Sequence, residues 1–283
     1  MVPDHPGRRI PLADFERRDR SRNQEEIRAR CRTVVIRSDM AVTQVLGRYK
    51  MYVDPGDYSL AVHLMMDGYW EIWLTEEIMR IVKPGMVVAD IGANFGYFTL
   101  IMADLVGPKG HVLAFEPNPH AAALLQRSLC SNGMEKWASI EQNPLGAVSG
   151  LPVTLLYNPE LAGGAFVGDE ENSDFSVAIP HVTRRFDEHP RAHQVAVVKI
   201  DAEGSEERIW EGMAAQIAGN VLRIIVLEWC SFRYANPGQF LDSILAAGFE
   251  LSYIDPLHGV VSLDREGLLA RAPDQEWLLL LRR

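Results

Sequence analysis

The sequence predicts an α/β protein, a doubly wound and mostly parallel sheet covered by helices on both faces, preceded by a small N-terminal extension. Three observations predict it. Short apolar runs alternate with segments of helical spacing from about Tyr58 to the C-terminus. Four of those runs end on an acidic residue, at Asp90, Glu116, Asp201 and Glu228. Between the first run and its helix lies a glycine turn, in the stretch VVADIGANFGYFTL from Val87 to Leu100.

Residues 1 to about 32 carry Pro3, Pro6, Gly7 and Pro11 and then an arginine-rich segment, expected to be helical from about Asp14 to Arg32. Between Arg8 and Arg37 ten arginines face five acidic residues, a balance of +5 in a chain of net charge −10, which leaves −15 on the remainder. The arm reads as a solvated charged helix, with a docking surface for an acidic partner as the alternative. Thr33 to Ile36 and Arg48 to Val53 are β-like pieces before an Asp54-Pro55-Gly56 turn. Tyr58 to Val82 has helical spacing broken near Asp67-Gly68, so two helices lead into the first buried strand.

That strand, Val87 to Ala89, closes on Asp90, and Tyr97 to Leu105 continues as helix. Gly92 and Gly96 bracket the turn between them, where a missing side chain is expected to let a ligand approach the backbone. His111 to Phe115 is a strand ending in Glu116-Pro117-Asn118-Pro119, and His120 to Cys130 a helix stopped by Asn132-Gly133. Ala138 to Gln142 and Leu151 to Tyr157 are further strands. The segment from Asn158 to about Ser173 is too long and irregular for a routine connection and is expected to be a lid or binding loop. Val195 to Ile200 is a strand ending in Asp201-Ala202-Glu203-Gly204, followed by a helix from Ser205 to about Ile217. Val221 to Leu227 ends at Glu228, Gly238 to Ala247 is a helix, and the strands Glu250 to Ile254, Val260 to Leu263 and Trp277 to Leu281 complete the chain.

Composition excludes several classes. The apolar fraction of 47% and charged fraction of 23% are those of a globular protein, and no apolar run reaches the roughly eighteen residues of a membrane span. A soluble, cytoplasmic protein is expected. The acidic net charge argues against nucleic acid as a partner. Cys31, Cys130 and Cys230 are too widely spaced to suggest zinc or redox chemistry.

The turn narrows the cofactor to two classes, a nicotinamide dinucleotide or S-adenosylmethionine, since both bind at the first crossover of such sheets. Gly92-Ala93-Asn94-Phe95-Gly96 does not match the dinucleotide pattern GxGxxG. Asp90 is the sharper discriminator. A carboxylate beside that turn repels a pyrophosphate but attracts the ammonium of a methionine moiety. Glu116, 20 residues past Gly96, stands where an acid accepts both ribose hydroxyls of either cofactor. These features favour S-adenosylmethionine, with turn-capping acids as the bland alternative.

VVADIGANFGYFTL, AFEPNP, VVKIDAEGSE and IIVLEW occur in the order and at the kind of spacing of the FkbM-type methyltransferases. The chain resembles that family from about Asp57 to Trp229. Gly68-Tyr69-Trp70-Glu71 and the segment 182–188 look like weaker family blocks, the latter with Phe186 where leucine is usual. The resemblance implies a class I methyltransferase fold, Rossmann-like with an antiparallel final strand, and O-methylation of a hydroxyl on a secondary metabolite or sugar. It implies cofactor contacts at Asp90, Gly92, Ala93, Asn94, Gly96, Glu116 and Asn118, and by position a contact to the adenine from the turn Gln142 to Leu145, at Asn143. On this reading residues 1–56 form an arginine-rich arm and small cap, and residues 57–283 an S-adenosylmethionine-binding methyltransferase domain. The partner is a small hydroxylated acceptor, and homo-oligomerisation is left open.

Methyl transfer from a sulfonium asks the protein to align the acceptor and to activate a hydroxyl. Asp201, Glu203 and Glu228, on the same sheet edge as Asp90 and Glu116, are the candidate catalytic residues, with Asp201 first for catalysis or acceptor binding. A helix-terminal carboxylate is the plainer reading of Glu203, and pairing with a base such as Lys199 that of Glu228. The same three acids could ligate magnesium, but their spacing is not diagnostic and no metal is assigned. His63 and His181 are the other bases, more economically structural or surface histidines. Tyr69, Trp70 and Trp73 line an acceptor pocket or pack in the core, with packing the better account of Trp73. Two further functions stay in view: a nicotinamide-dependent oxidoreductase, and a catalytically silent methyltransferase-like domain recruited through its arginine-rich arm.

Overall fold

A computed structural model describes residues 9–17, 19–168 and 177–283. The arginine-rich arm forms two helices rather than one, α1 (Leu12–Arg17) and α2 (Arg20–Arg30), because Asp19 caps α2 by accepting the N–H groups of Ser21 and Arg22. Phe15 and Ile27 are buried, Arg20 pairs with Glu76 at 2.7 Å and Arg28 with Asp67 at 2.7 Å. The arm is thus not a free solvated helix over these residues. Arg20 and Arg28 meet acids of the same chain.

Three strands follow where the pattern suggested two: β1 (Thr33–Arg37), β2 (Met40–Val45) and β3 (Tyr49–Val53), paired antiparallel in that order. Leu46 and Gly47, both at positive φ, make the β2–β3 hairpin turn. Helices α3 (Ala61–Met66) and α4 (Ile72–Ile81) break at Asp67-Gly68 as expected.

The central sheet contains β4 (Val87–Ile91), β5 (His111–Phe115) and β6 (Ala138–Glu141), with α5 (Tyr97–Val106) and α6 (Pro119–Asn132) as crossovers. The free edge of β3 is satisfied by α6: Tyr52 N–H donates to Ser128 Oγ at 2.9 Å, and Asn132 Nδ2 donates to the Lys50 carbonyl at 2.7 Å. After β6 the chain leaves the sheet. Leu151 to Tyr157, expected among the sheet strands, becomes β7 (Pro152–Tyr157) of a separate antiparallel sheet with β8 (Phe166–Gly168) and β9 (Val177–Val182). Its half-exposed residues suit a two-sided hairpin better than a doubly covered parallel strand. The irregular segment supplies a 3₁₀ turn at Pro159–Gly164 and β8, while its part over 169–173 lies outside the described residues.

The chain re-enters at β10 (Val195–Ile200). The helix expected over 205–217 is two pieces, α7 (Glu206–Glu211) and α8 (Ala214–Ala218), since Gly212 packs so close to the Gly146 carbonyl that a Cβ would stand 2.2 Å from it. β11 (Ile224–Trp229), α9 (Pro237–Ala246), β12 (Glu250–Asp255), β13 (Gly259–Ser262), α10 (Arg265–Leu269) and β14 (Trp277–Arg282) complete the fold.

The sheet order is β13-β12-β14-β11-β10-β4-β5-β6, parallel from β6 to β11 and antiparallel beyond. This is the class I methyltransferase arrangement, an α/β Rossmann-like sheet. Alternate residues face opposite cores: Val88, Val112 and Val197 meet the N-terminal sheet, α4, α5 and α6, while Ala89, Leu113 and Val198 meet α7 and α9. Succession reverses between β4 and β10, and the crevice outside their carboxyl ends is where open α/β sheets bind ligands. Among the described residues, no helix is long and apolar enough to cross a membrane.

Candidate active site

The loop after β4 consumes its own donors. Gly92 and Ala93 N–H both donate to the Phe115 carbonyl at 3.0 Å, Asn94 N–H to Glu116 Oε2 at 2.6 Å, Phe95 N–H to Asn94 Oδ1 at 2.7 Å, and Gly96 N–H to the Ala93 carbonyl at 2.8 Å. No N–H from Gly92 to Gly96 is left to cradle a phosphate, so the loop lacks the nest a pyrophosphate requires. Both glycines are required by chain packing. A Cβ on Gly92 would stand 1.7 Å from the Asp201 carbonyl oxygen, one on Gly96 2.0 Å from Leu125 Cδ1, and both backbones have positive φ.

A cavity of about 430 Å³ opens beside this loop, within the range of small-molecule sites. Gly92, Ala93, Asn94, Glu116 and Asn143 line one part of it, and Asp201, Glu203 and Glu228 line the rest with Lys199 and Arg233. Gly164 to Val167, from the irregular segment, and Ser59 and Leu60 also contribute to its wall. Of the expected cofactor residues, Asp90, Gly96 and Asn118 are not on that wall. Asn118 caps α6 through His120 and Ala121 N–H, and its own N–H donates to Glu116 Oε1 at 2.8 Å. Glu116 is therefore gripped at both oxygens by backbone donors while its remaining lone pairs stay available. Burial lifts its pKa to about 7.

Asp90 is 1% exposed, and its position depends on Lys199, which the sequence pointed toward Glu228 instead. Register sets Asp90 beside Lys199, itself 2% exposed, on the adjacent strand β10. Asp90 Oδ2 accepts from Thr99 Oγ1 at 2.5 Å, and Oδ1, with no hydrogen bond among the described residues, lies 4.0 Å from Lys199 Nζ. Lys199 Nζ donates to Asp201 Oδ2 at 2.8 Å and sits 5.1 Å from the Phe98 ring centroid. Burial opposes the lysine charge, yet Asp201 and Asp90 raise its pKa above the ordinary value. Its carboxylate partners are thus Asp201 and Asp90, not Glu228. A lysine inside an otherwise apolar strand, two residues before an acid, was the available signal.

Arg233 is the second cation. It bridges Glu203 and Glu228 at 2.8 Å each and Glu276 at 2.7 Å. The turn that carries Asp201 and Glu203 is held by Glu206, whose carboxylate accepts the N–H groups of Ala202 and Gly204, with Glu203 at φ 49°. Burial raises Glu203 to about 8 and pushes Glu228 well above the usual range, with Asp201 adding to both. Oxygens of Asp201, Glu203 and Glu228 lie within 4.8 Å of one another, a spacing open to a cation, but two of the three already share Arg233. His63, whose ring lies tilted against Trp70, and His181 do not line the cavity, whereas Trp70 does. Trp73 packs on the core and Tyr69 is buried.

These carboxyls make a prediction about stability. Glu71 and Glu116 are held at about 7 and Glu203 at about 8, against 4.5 for an unperturbed glutamate, with burial the largest cause in each. Each keeps a proton in the folded chain where the unfolded chain has lost it. Their stabilisation is complete below about 4.5 and declines as pH rises through about 7 to 8. Thermal melts across that window should show Tm falling with pH; a rising Tm would contradict the assignment.

The model of the methyltransferase FkbM domain matches residues 90–251, more than half of the chain. The chain belongs to the FkbM methyltransferase family. S-adenosylmethionine is its cofactor. Methyltransferase sdnD of Sordaria araneosa is 34% identical over 118 residues, covering 41% of this chain and 43% of the relative. Protein-L-isoaspartate O-methyltransferase of Methanothrix thermoacetophila is 40% identical over 48 residues, 17% of this chain and 23% of the relative. The chain spans less than half the length of these curated relatives in the matched regions. Among solved structures, precorrin-6y C5,15-methyltransferase from Geobacter metallireducens is similar at 13% identity and a TM-score of 0.40, over 75% of this chain and 89% of that one. A putative O-methyltransferase from Klebsiella pneumoniae reaches 12% and 0.42, over 74% and 78%. At such scores the fold assignment rests on the strand order of the FkbM chain itself.

The site fits the cofactor on observations of its own. The donor-depleted loop offers no N–H nest for a diphosphate, and Glu116 presents lone pairs into a cavity of adequate size.

Proposed function

We propose that the protein is an S-adenosylmethionine-dependent O-methyltransferase acting on a hydroxyl of a secondary metabolite or sugar. The observation that carries this reading is one continuous cavity that contains both the loop-and-Glu116 wall and the acidic group Asp201, Glu203 and Glu228. Bound cofactor supplies an electrophilic methyl group. Glu116 accepts the ribose hydroxyls, Gly92, Ala93 and Asn94 shape the floor, and Asn143 borders the adenine. Asp201, held by Lys199, together with Glu203 and Glu228, held by Arg233, forms a polar wall that binds and orients the acceptor hydroxyl. The segment Gly164 to Val167 excludes water from the reacting groups.

Calorimetric titration tests the cofactor half of the proposal. S-adenosylmethionine and S-adenosylhomocysteine are expected to bind and NAD is not; heat with NAD alone would overturn the reading. Transfer of labelled methyl to a panel of glycosides and hydroxylated metabolites, with base-stable product, tests the O-methyl half. Tight cofactor binding with label appearing only on nitrogen or carbon would refute it.

A further inference from the structure

Six carboxylates line the cavity: Glu71, Glu116, Asp201, Glu203, Glu228 and Glu276. Five are already committed. Asp201 is held by Lys199, Glu203, Glu228 and Glu276 by Arg233, and Glu116 by two backbone N–H groups. Glu71 alone has a carboxylate with no hydrogen bond or ion pair among the described residues. A carboxylate held by a cation or by backbone N–H groups has its oxygens engaged and aimed at those donors. That leaves Glu71 as the wall carboxylate whose oxygens no neighbour holds.

The backbone at Glu71 points the same way. It occupies the N-cap position of α4 at φ 37° and ψ 64°, a left-handed conformation that a non-glycine residue adopts at a cost of about 1–2 kcal/mol. An N-cap side chain ordinarily accepts a helix N–H, and Glu71 makes no such bond. The strain therefore serves no capping purpose. It is held by neighbours: Thr75 N–H donates to the Glu71 carbonyl at 2.9 Å, and Thr75 Oγ1 donates to the Trp70 carbonyl at 3.0 Å and meets Tyr97 Oη at 3.0 Å. The outcome is a carboxylate turned onto the cavity wall beside Trp70, facing Lys199 from β10 and Asp201 just after it, Tyr97 from α5 and Glu276 from the segment before β14.

We propose that Glu71 is the general base that accepts the proton of the acceptor hydroxyl. This rests on the O-methyl transfer reading above. The proton passes from the hydroxyl to a Glu71 oxygen, the freed oxygen electron pair forms the new O–C bond, and the pair of the broken S–C bond stays on sulfur. Carboxylate and sulfonium charges are discharged together. Burial, reinforced by Asp201 and opposed by Lys199, holds the Glu71 pKa at about 7, a value matched to proton transfer near neutrality. Ionised Glu71 is the active form, so transfer rises with pH through that value.

The decisive experiment is carbon-13 NMR of protein labelled at the glutamate side-chain carboxyl, comparing wild type with Glu71→Gln. Wild type is expected to show a carboxyl titrating at about 7 that is missing from the variant, distinct from Glu116, which titrates in the same region in both. This arm needs no acceptor; absence of any difference near that pH overturns the proposal. In parallel, Glu71→Gln should bind S-adenosylmethionine within about threefold of wild type while kcat falls at least about 100-fold, and Glu71→Asp should recover part of the loss with the pH dependence retained. Unchanged kcat in Glu71→Gln also overturns it. Failure of wild type to bind S-adenosylmethionine would instead refute the methyltransferase reading, whatever Glu71 titrates at.

Discussion

Lys199→Met is expected to destabilise the fold by about 3–5 kcal/mol, because it leaves the buried Asp90, and Asp201 on the cavity wall, without their cation. Methionine matches the length and apolar stem of lysine, so the loss reports charge rather than volume. Asp90 is almost wholly buried and its unpaired oxygen faces the ammonium at 4.0 Å, while Asp201 bonds it at 2.8 Å. Chemical denaturation measures the change, and a fall in Tm of roughly 10 °C should accompany it. Combining the substitution with Asp90→Asn should restore part of the stability, since the amide needs no counter-charge. Equal stability of wild type and Lys199→Met would mean that the two acids are protonated or hydrated rather than paired.

The second large effect is expected on cofactor affinity. Glu116→Gln turns one acceptor oxygen into an NH₂ group, which must then face a backbone N–H of Asn94 or Asn118. One buried donor loses its partner and the loop is pushed from its position, a loss of about 2–3 kcal/mol. S-adenosylmethionine should bind roughly 30- to 150-fold more weakly by calorimetry. The side chain is nearly isosteric, so the fold should persist, with some loss of stability from the unpaired donor accompanying the loss of binding. An unchanged Kd would remove Glu116 from the cofactor site.

Both predictions depend on residues that the chain reveals unequally. The buried strands β4, β5, β10 and β11 were readable as short apolar runs because both faces of each are covered, so burial leaves its mark on every residue of the run. The loop VVADIGANFGYFTL was readable because its turn, its acid and its helix are contiguous. β7 was readable as a strand but its sheet was not, since strand character is local and strand pairing is not. The helix after β10 was read as unbroken because the obstacle at Gly212 is a backbone carbonyl from a distant loop.

The site divides along the same line. By itself the sequence determined the α/β class, the family, the methyl donor and the set of acids that end the parallel strands, all of which are written in contiguous patterns. Only the tertiary structure decided what those acids do. Sheet order brings Lys199 of β10 against Asp90 of β4, a loop returns Arg233 to Glu203 and Glu228, and the strained start of α4 delivers Glu71 to the same cavity. Electrostatic partnership falls off over a few ångströms of space and is indifferent to distance along the chain, so a carboxylate's charge, basicity and availability follow from the fold and not from its neighbours in sequence.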